Sequence, residues 1–416
     1  MRDRAALVLC ALAALARPAA AQELERLTLD QAIQRALARN TSVLIAAAEV
    51  VRAEGLVAEA RASSLPTLFP AGTYTRIDHD RKFQDFTALH ASQWGATAPL
   101  AVPLLAPQAW AEWAHSLDDK RAAVLNVRQV QRQVAIAVAN AYLTVITQRR
   151  LLEVAKVSRD NAASHADYTR QQSAAGVVSE LDAVRAQQQL HTTTAQLQVV
   201  TIALDQAREA LGVLVAGDRP IEAATTPEFR APSVPDRLGA RADVVWMRMR
   251  QTAAHNQLRD TYTEYLPFLT GVFEPIYTQP PTFTQPRWGW QLQLTLVIPI
   301  YDGGIRQGRR LVRSAAFDET TASLEDLLRT GRADIRLAYR SLESADKRVA
   351  EARAAATLAR RALEISTLRY RQGATTNIEV IDAEQQSRQS DLSAALAEDS
   401  AQQIRLNLLA ATGEFP

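Results

Sequence analysis

The chain has 416 residues, with 47 Lys and Arg against 45 Asp and Glu, a net charge of +2. Acidic and basic residues are interleaved, the pattern of a solvated helical face, so nucleic acid is not an expected partner. The single cysteine, Cys10, sits in an N-terminal apolar stretch, which excludes disulfides, zinc–thiolate sites and cysteine nucleophiles from the rest of the chain.

Residues 1–21 read as a secretory signal: Arg2 and Arg4, an apolar run from Ala5 to Ala16, then Ala19-Ala20-Ala21 as a small-residue cleavage site. The run is too short to span a bilayer as a helix. No later apolar run approaches 18 residues, so no transmembrane helix is expected.

A first half covers 22–217. Thr28 with Gln31 three residues on predicts a capping box, opening a helix that runs to about Ser63 before Pro66. Strands are expected at about 67–79 and 94–103, around a polar tip at Asp78 to Lys82. In the later strand Trp94, Ala96, Ala98, Leu100 and Val102 share one face, and Pro99 within it points to an edge or a break. A helical hairpin of about 108–215 turns at Gly176, and its first arm is long enough to suggest a coiled-coil-like assembly.

Residues 218–235 are rich in Pro, Ala and Thr and read as a linker. The second half, 236–416, repeats the order: a helix from Arg241 to Tyr265, strands at about 268–277 and 288–299, then a hairpin of about 305–409 turning at Gly373. Trp290, Leu292, Leu294, Leu296 and Ile298 face one way; Gln291, Gln293, Thr295 and Val297 face the other. Gly176 matches Gly373, Leu181 matches Ile378, Asp182 matches Glu379, and Ala141-Tyr142 matches Ala338-Tyr339. The chain therefore reads as an internal duplication, with a unit too long for a solenoid repeat.

The later strands have the length and the one-sided apolar pattern of tilted strands with lipid on one side and water on the other. Trp94, Leu100, Trp290, Leu292, Leu294 and Leu296 are the expected membrane-facing residues, with tryptophan suited to the interface. An amphipathic strand on a soluble core is the alternative. Four strands cannot close a barrel, and open edges are not tolerated in lipid, so membranous strands require several copies.

In order and spacing, Leu27-Thr-Leu-Asp-Gln-Ala-Ile33, the strand ends at Pro103 and Pro299, Tyr301-Asp-Gly-Gly304, both glycine turns and the duplication resemble the outer membrane efflux proteins of the TolC type. The resemblance covers nearly all of the chain after the signal. It implies a mainly α fold with a small membrane β-part. Three protomers, four strands each, would form a twelve-stranded β-barrel continuous with a periplasmic α-helical barrel. It implies a homotrimer in outer membrane lipid, a periplasmic membrane-fusion adaptor, and an inner-membrane pump of the RND, ABC or MFS type. The function implied is a passive duct of a tripartite efflux or type I secretion system.

On that fold the two turns lie at the periplasmic end. Gly176, Val177, Tyr370, Arg371, Gly373 and Ala374 become the expected adaptor-docking tips. Leu181, Val184, Ile378 and Ile381 are expected to pack the hairpins. Asp182, Glu379 and Asp382 would ring the aperture with carboxylates, which attract cations and resist tight closure. Solvent-facing helix charge is the alternative, and Asp182 can also pair with Arg185. The first turn, Ser173-Ala-Ala-Gly176, has no tyrosine three residues before its glycine, and Tyr168 sits farther back. Gating is thus expected to lean on the second turn.

No nucleophile elbow, phosphate loop or dinucleotide fingerprint occurs, and the six histidines are scattered. No catalytic, metal or cofactor residue is expected, and the chain is not expected to be an enzyme. The competing reading is a periplasmic coiled-coil adaptor or scaffold without a pore.

Overall fold

The computed structural model describes residues 24–83, 86–230, 238–282 and 284–415. The expected signal at 1–21 and residues 231–235 of the expected linker lie outside them. Two compact units form. One comprises Met1–Leu44, Val130–Leu238 and Gly331–Pro416; the other comprises Ile45–Gln129 and Gly239–Thr330.

In the first unit, helix α1 (Leu29–Arg39) opens with the expected capping box. The Thr28 hydroxyl accepts from the Gln31 N–H at 3.3 Å, and the Gln31 side chain accepts from the Thr28 N–H at 3.0 Å. The helix expected to reach Ser63 breaks at Asn40, ahead of α2 (Thr41–Ala62). The Asn40 carboxamide accepts from the Ser42 N–H at 2.9 Å and donates to the Leu214 carbonyl at 2.8 Å. Its side chain thus competes with the helix ladder and caps the next helix.

The long helices are α3 (Pro107–Ala174, 68 residues) and α6 (Ile305–Arg371, 67 residues). At 1.5 Å per residue each is about 100 Å long. Both contribute residues to both units. Each is followed by a shorter antiparallel arm, α4 (Glu180–Leu214) and α7 (Asn377–Thr412). Val138, Tyr142, Val145 and Ile146 of α3 form a core with Ile33, Leu204, Leu211 and Leu406. The Tyr142 hydroxyl accepts from the Thr225 N–H at 3.2 Å and reaches the Thr225 carbonyl at 2.8 Å.

A small parallel pair was not foreseen: β1 (Glu25–Leu27) on β8 (Ile221–Ala223). Buried Glu222 holds it, taking Arg149 at 3.3 Å and Arg208 at 2.8 Å. A buried carboxylate is tolerated here because two guanidinium groups meet it. On α7 the inward stripe is Asn377, Val380, Glu384, Ser387, Ala394, Ala397 and Ala401, at the three-and-four spacing of a coiled-coil seam. Leu181, Val184 and Ile378, expected to pack the hairpins, are exposed in the protomer. The inward stripe instead combines Val380 with alanines and the polar Asn377, Glu384 and Ser387.

The second unit carries the main sheet. It has β2 (Thr67–Leu68), β3 (Ala71–Arg76), β6 (Ser92–Thr97), β7 (Leu100–Leu105), β9 (Phe268–Gln279) and β10 (Trp288–Val297). β9 pairs with β10 along one edge and with both β6 and β7 along the other. β6 and β7 are thus two pieces of one strand broken at Ala98 and Pro99, and β2 and β3 are pieces of another broken at Phe69 and Pro70. Proline has no N–H to give the ladder, so it interrupts without ending the strand. The result is a four-strand antiparallel meander. The polar tip between β3 and β6 is longer than expected and folds into a hairpin of β4 (Arg81–Phe83) and β5 (Phe86–Leu89).

Helix α5 (Ala242–Arg259) ends in a 3₁₀ turn, Asp260–Tyr265. Buried acids pin this unit: Asp260 meets His115 at 3.2 Å, and Glu264 meets Arg313 at 2.7 Å. At the strand-to-helix corner after β10, Arg306 binds Asp302 at 2.7 Å and the Pro299 carbonyl at 2.8 Å, and its guanidinium covers Tyr265 at 4.5 Å. Those bonds hold the Asp302 carboxyl below the usual carboxylate range against the opposing effect of desolvation.

Candidate functional site: hairpin tips and a two-faced sheet

Both hairpin turns use one backbone device. Gly176 has φ +76° and Gly373 has φ +73°. The Gly176 N–H donates to the Ser173 carbonyl at 3.0 Å and the Val177 N–H to Gln172 at 2.9 Å. The Gly373 N–H donates to Tyr370 at 3.0 Å and the Ala374 N–H to Arg369 at 2.9 Å. These are Schellman caps, in which a left-handed residue lets the last helical carbonyls be satisfied. Three residues later Ser179 and Thr376 start the next helices.

The side chains differ. The Ser179 hydroxyl accepts from the Asp182 N–H at 3.2 Å and donates to the Asp182 carboxylate at 3.1 Å. Asp182 is also reached from the second hairpin: the Asn377 amide donates to its carbonyl at 3.1 Å. It therefore pairs with Ser179 and Asn377 rather than with Arg185. Glu379 is exposed and accepts from the Thr375 hydroxyl, and Asp382 is exposed. Asp182 and Glu379 also lie in the first turns of their helices, where the helix dipole favours a negative charge. Val177, Arg371 and Ala374 are exposed at the turns, whereas Tyr370 is buried.

Asn377 also joins α3. With its amide committed to Asp182, its carbonyl oxygen accepts from His165 Nε2 at 2.7 Å, which fixes the histidine tautomer. Burial lowers the His165 pKa, and the Asn377 bond offsets that only in part. Tyr370 lies edge-on to His165 at 5.4 Å and to Tyr168 at 6.0 Å. The Arg371 guanidinium sits 6.0 Å from the Tyr168 ring. The first hairpin therefore does bring a tyrosine to this cluster, from eight residues before its glycine. Burial raises the Tyr370 pKa, and its hydroxyl makes no hydrogen bond in the protomer. The facing Thr169 hydroxyl donates to the His165 carbonyl at 2.8 Å, so toward Tyr370 it can only accept.

Sequence reasoning missed His165, Asn377 and Glu384, and set Tyr168 aside as too far from its glycine. His165 and Asn377 are 212 positions apart, and no periodicity links them. Glu384 was findable, because it falls on the inward spacing of Asn377, Val380 and Ser387.

In the second unit, strand register sorts the sheet into two faces. Leu292 lies opposite Phe273, which lies opposite Leu100, which lies opposite Leu68. Trp290 faces Pro275, Leu294 faces Gly271, and Leu296 faces Leu269. Toward one end Tyr74 faces Trp94, Ala96 faces Tyr277, and Tyr277 faces Trp288. Cross-strand partners point the same way, so all of these lie on one apolar face with aromatic residues at one end, and Trp94, Leu100, Trp290, Leu292, Leu294 and Leu296 on it are exposed. The rings meet in pairs: Tyr74 with Trp94 at 4.8 Å, Tyr277 with Trp288 at 4.6 Å and Phe273 with Trp290 at 6.0 Å. The opposite face carries Thr73, Thr75, Gly95, Thr97, Thr270, Glu274, Gln291, Gln293 and Thr295, with Gln291 donating to Glu274 at 2.6 Å.

Among the described residues no helix is long and apolar enough to cross a membrane, and no group of three His, Cys, Asp or Glu could hold a metal ion.

A chain with a two-faced sheet and long helical hairpins falls in the class of outer membrane channel proteins. The chain is a member of the outer membrane efflux protein family, whose model matches residues 32–217 and 236–414. It is 24% identical to the pyoverdine export outer membrane protein OpmQ of Pseudomonas aeruginosa, over 92% of this chain and 83% of that one. Its fold matches the CmeC outer membrane channel of Campylobacter jejuni with a TM-score of 0.84 at 15% identity, over 92% of this chain and 85% of that one. The outer membrane protein VceC of Vibrio cholerae gives 0.80 at 20% identity, over 92% and 96%. The fold is thus that of the TolC-like channels, mainly α with a small β-part. The protein is an outer membrane efflux protein, and proteins of this family work with efflux pump systems.

Proposed function

We propose that this chain is the passive outer-membrane duct of a tripartite export system, assembled as a homotrimer. The observation that carries the reading is the sheet: four strands, one apolar face ending in aromatic rings, and two outer edges without a partner strand among the described residues. Such edges are not stable in lipid until paired. Three copies joining β10 to the β2–β3 strand close twelve strands, with Trp94, Leu100, Trp290, Leu292, Leu294 and Leu296 toward lipid. The halves 22–217 and 236–416 then each supply two strands and one hairpin.

In this assembly the tips around Gly176, Val177, Tyr370, Arg371, Gly373 and Ala374 receive a periplasmic adaptor, which joins the duct to an inner-membrane pump of the RND, ABC or MFS type. Exposed Glu379 and Asp382 charge the aperture, while Asp182 braces the two hairpins. The relative OpmQ is named for pyoverdine export; here selection of cargo is assigned to the pump.

Purified protein reconstituted in planar bilayers tests the reading. Discrete, reproducible conductance steps are expected, with a heat-sensitive oligomer three protomers in mass on gels. A soluble monomer without conductance would rule the duct out and favour a pore-free periplasmic scaffold.

A further inference from the structure

Above the tip cluster, the first unit contains a groove of about 530 Å³ between α3, α6 and α7. Its walls are Val157 and Tyr168 on α3 and Leu363, Leu368 and Tyr370 on α6. Glu384 of α7 lines it too and is 9% exposed, with Oε2 lacking any hydrogen-bond partner. The other acids of the groove are engaged. Asp391 holds Arg360 at 2.8 Å, and Glu364 holds Arg361 at 2.6 Å. A buried, unpartnered carboxyl is costly unless something supplies its missing charge or donor.

We propose that this groove is a binding site for an organic monocation of drug size, with the charge against Glu384 and the apolar body against Tyr168, Tyr370 and the leucines. The volume falls within the range of about 300–1,000 Å³ typical of small-molecule sites. Tyrosine faces attract cations through their quadrupole, and desolvation strengthens that attraction. A single basic side chain of a partner would meet Glu384 but leave most of the apolar wall uncovered, so a free amphipathic cation fits better.

Burial raises the Glu384 carboxyl to about 7, with Arg388 on the same helix pulling the other way. The other ionisable groups around it are His165 and Tyr168 on α3, Glu364, Arg360, Tyr370 and Arg371 on α6, and Asp391 on α7. His165, lowered by burial, gains positive charge only in acid. Both titrations act in one direction: the groove loses negative charge as pH falls. A carboxyl that titrates at about 7 is about tenfold more ionised at pH 8 than at pH 6, so cation affinity rises about tenfold over that interval.

Ethidium fluorescence titrations on the full-length protein in nonionic detergent test this. Saturable binding near one ethidium per protomer is expected at pH 8, about tenfold weaker at pH 6. Glu384→Gln should weaken binding at pH 8 by tenfold or more and flatten the pH response. Absence of saturable binding in the wild type would overturn the site, as would a Glu384→Gln oligomer of normal gel mobility that binds ethidium as well as wild type. If Glu384→Gln fails to assemble, the wild-type comparison at pH 6 and pH 8 decides, and equal affinities would reject the proposal.

Discussion

The two long helices, α3 and α6, are alike in length and in the glycine turn that ends them, and differ in what they bury. The sequence matches Tyr142 of α3 with Tyr339 of α6. Tyr142 of α3 is fully buried, with its hydroxyl on the Thr225 backbone, whereas its counterpart Tyr339 is partly exposed and makes none of those bonds. Ile146 lies in the core, and the residue in its place on α6 is Glu343, an exposed partner of Lys347. The two long helices thus keep a common length and turn, while Tyr142 and Ile146 of α3 lie in a core that Tyr339 and Glu343 of α6 do not enter. A repeat in sequence reports shared backbone geometry and does not report shared packing.

The largest break in that equivalence lies at the tyrosine pair. Tyr142→Ala removes a fully buried ring and leaves the Thr225 backbone without its partner, a loss of about 3–5 kcal/mol. Tyr339→Ala is expected to cost below about 1 kcal/mol, as for a side chain that keeps water contact. Denaturant unfolding in detergent, followed by circular dichroism, measures both. Equal losses would mean that the halves pack alike.

A second asymmetry sits at the start of the short arms. Asn377 is buried between His165 and Asp182, and the matching residue in the first half is exposed Glu180. Asn377→Ala strands the His165 Nε2–H and the Asp182 carbonyl, at about 2 kcal/mol. Glu180→Ala loses only a favourable charge at a helix start, about 0.5 kcal/mol or less. The same denaturation assay separates them. Comparable effects from the two variants would remove Asn377 as the brace between hairpins.

What the sequence disclosed followed the length scale of each feature. The sheet faces were legible from Trp290 to Ile298 because alternation over nine positions has one physical reading, and both turns were legible because a glycine between proline-free helices marks a left-handed cap. The capping box at Thr28 and Gln31 was legible from local spacing alone. The pair of β1 and β8 was not, since three residues carry no period and their partners are almost 200 positions apart. Asn40 was hidden because its effect depends on the distant Leu214 carbonyl. Of Leu181, Val184, Ile378 and Ile381, expected to pack the hairpins, the first three are exposed in the chain and Ile381 is half-buried, while the seam is built from Asn377, Val380, Glu384, Ser387 and alanines. Apolar residues left outside such a seam are free to meet another subunit, which is why a single chain's pattern misidentifies its own interior.

The smallest expected effect tests where the halves should be equal. Neither Gly176 nor Gly373 has an atom within 4 Å of the place a Cβ would occupy. Only the left-handed backbone, at φ +76° and +73°, then opposes a side chain. Alanine is strained there and also restricts the unfolded chain, for a net cost of about 1 kcal/mol. Because the two caps share the same hydrogen bonds, Gly176→Ala and Gly373→Ala should lower stability by the same amount. A cost at Gly373 clearly above that at Gly176 would mean that the Tyr370 and Arg371 cluster constrains the second turn beyond its backbone. In that case the asymmetry seen in the side chains would extend into the turn itself.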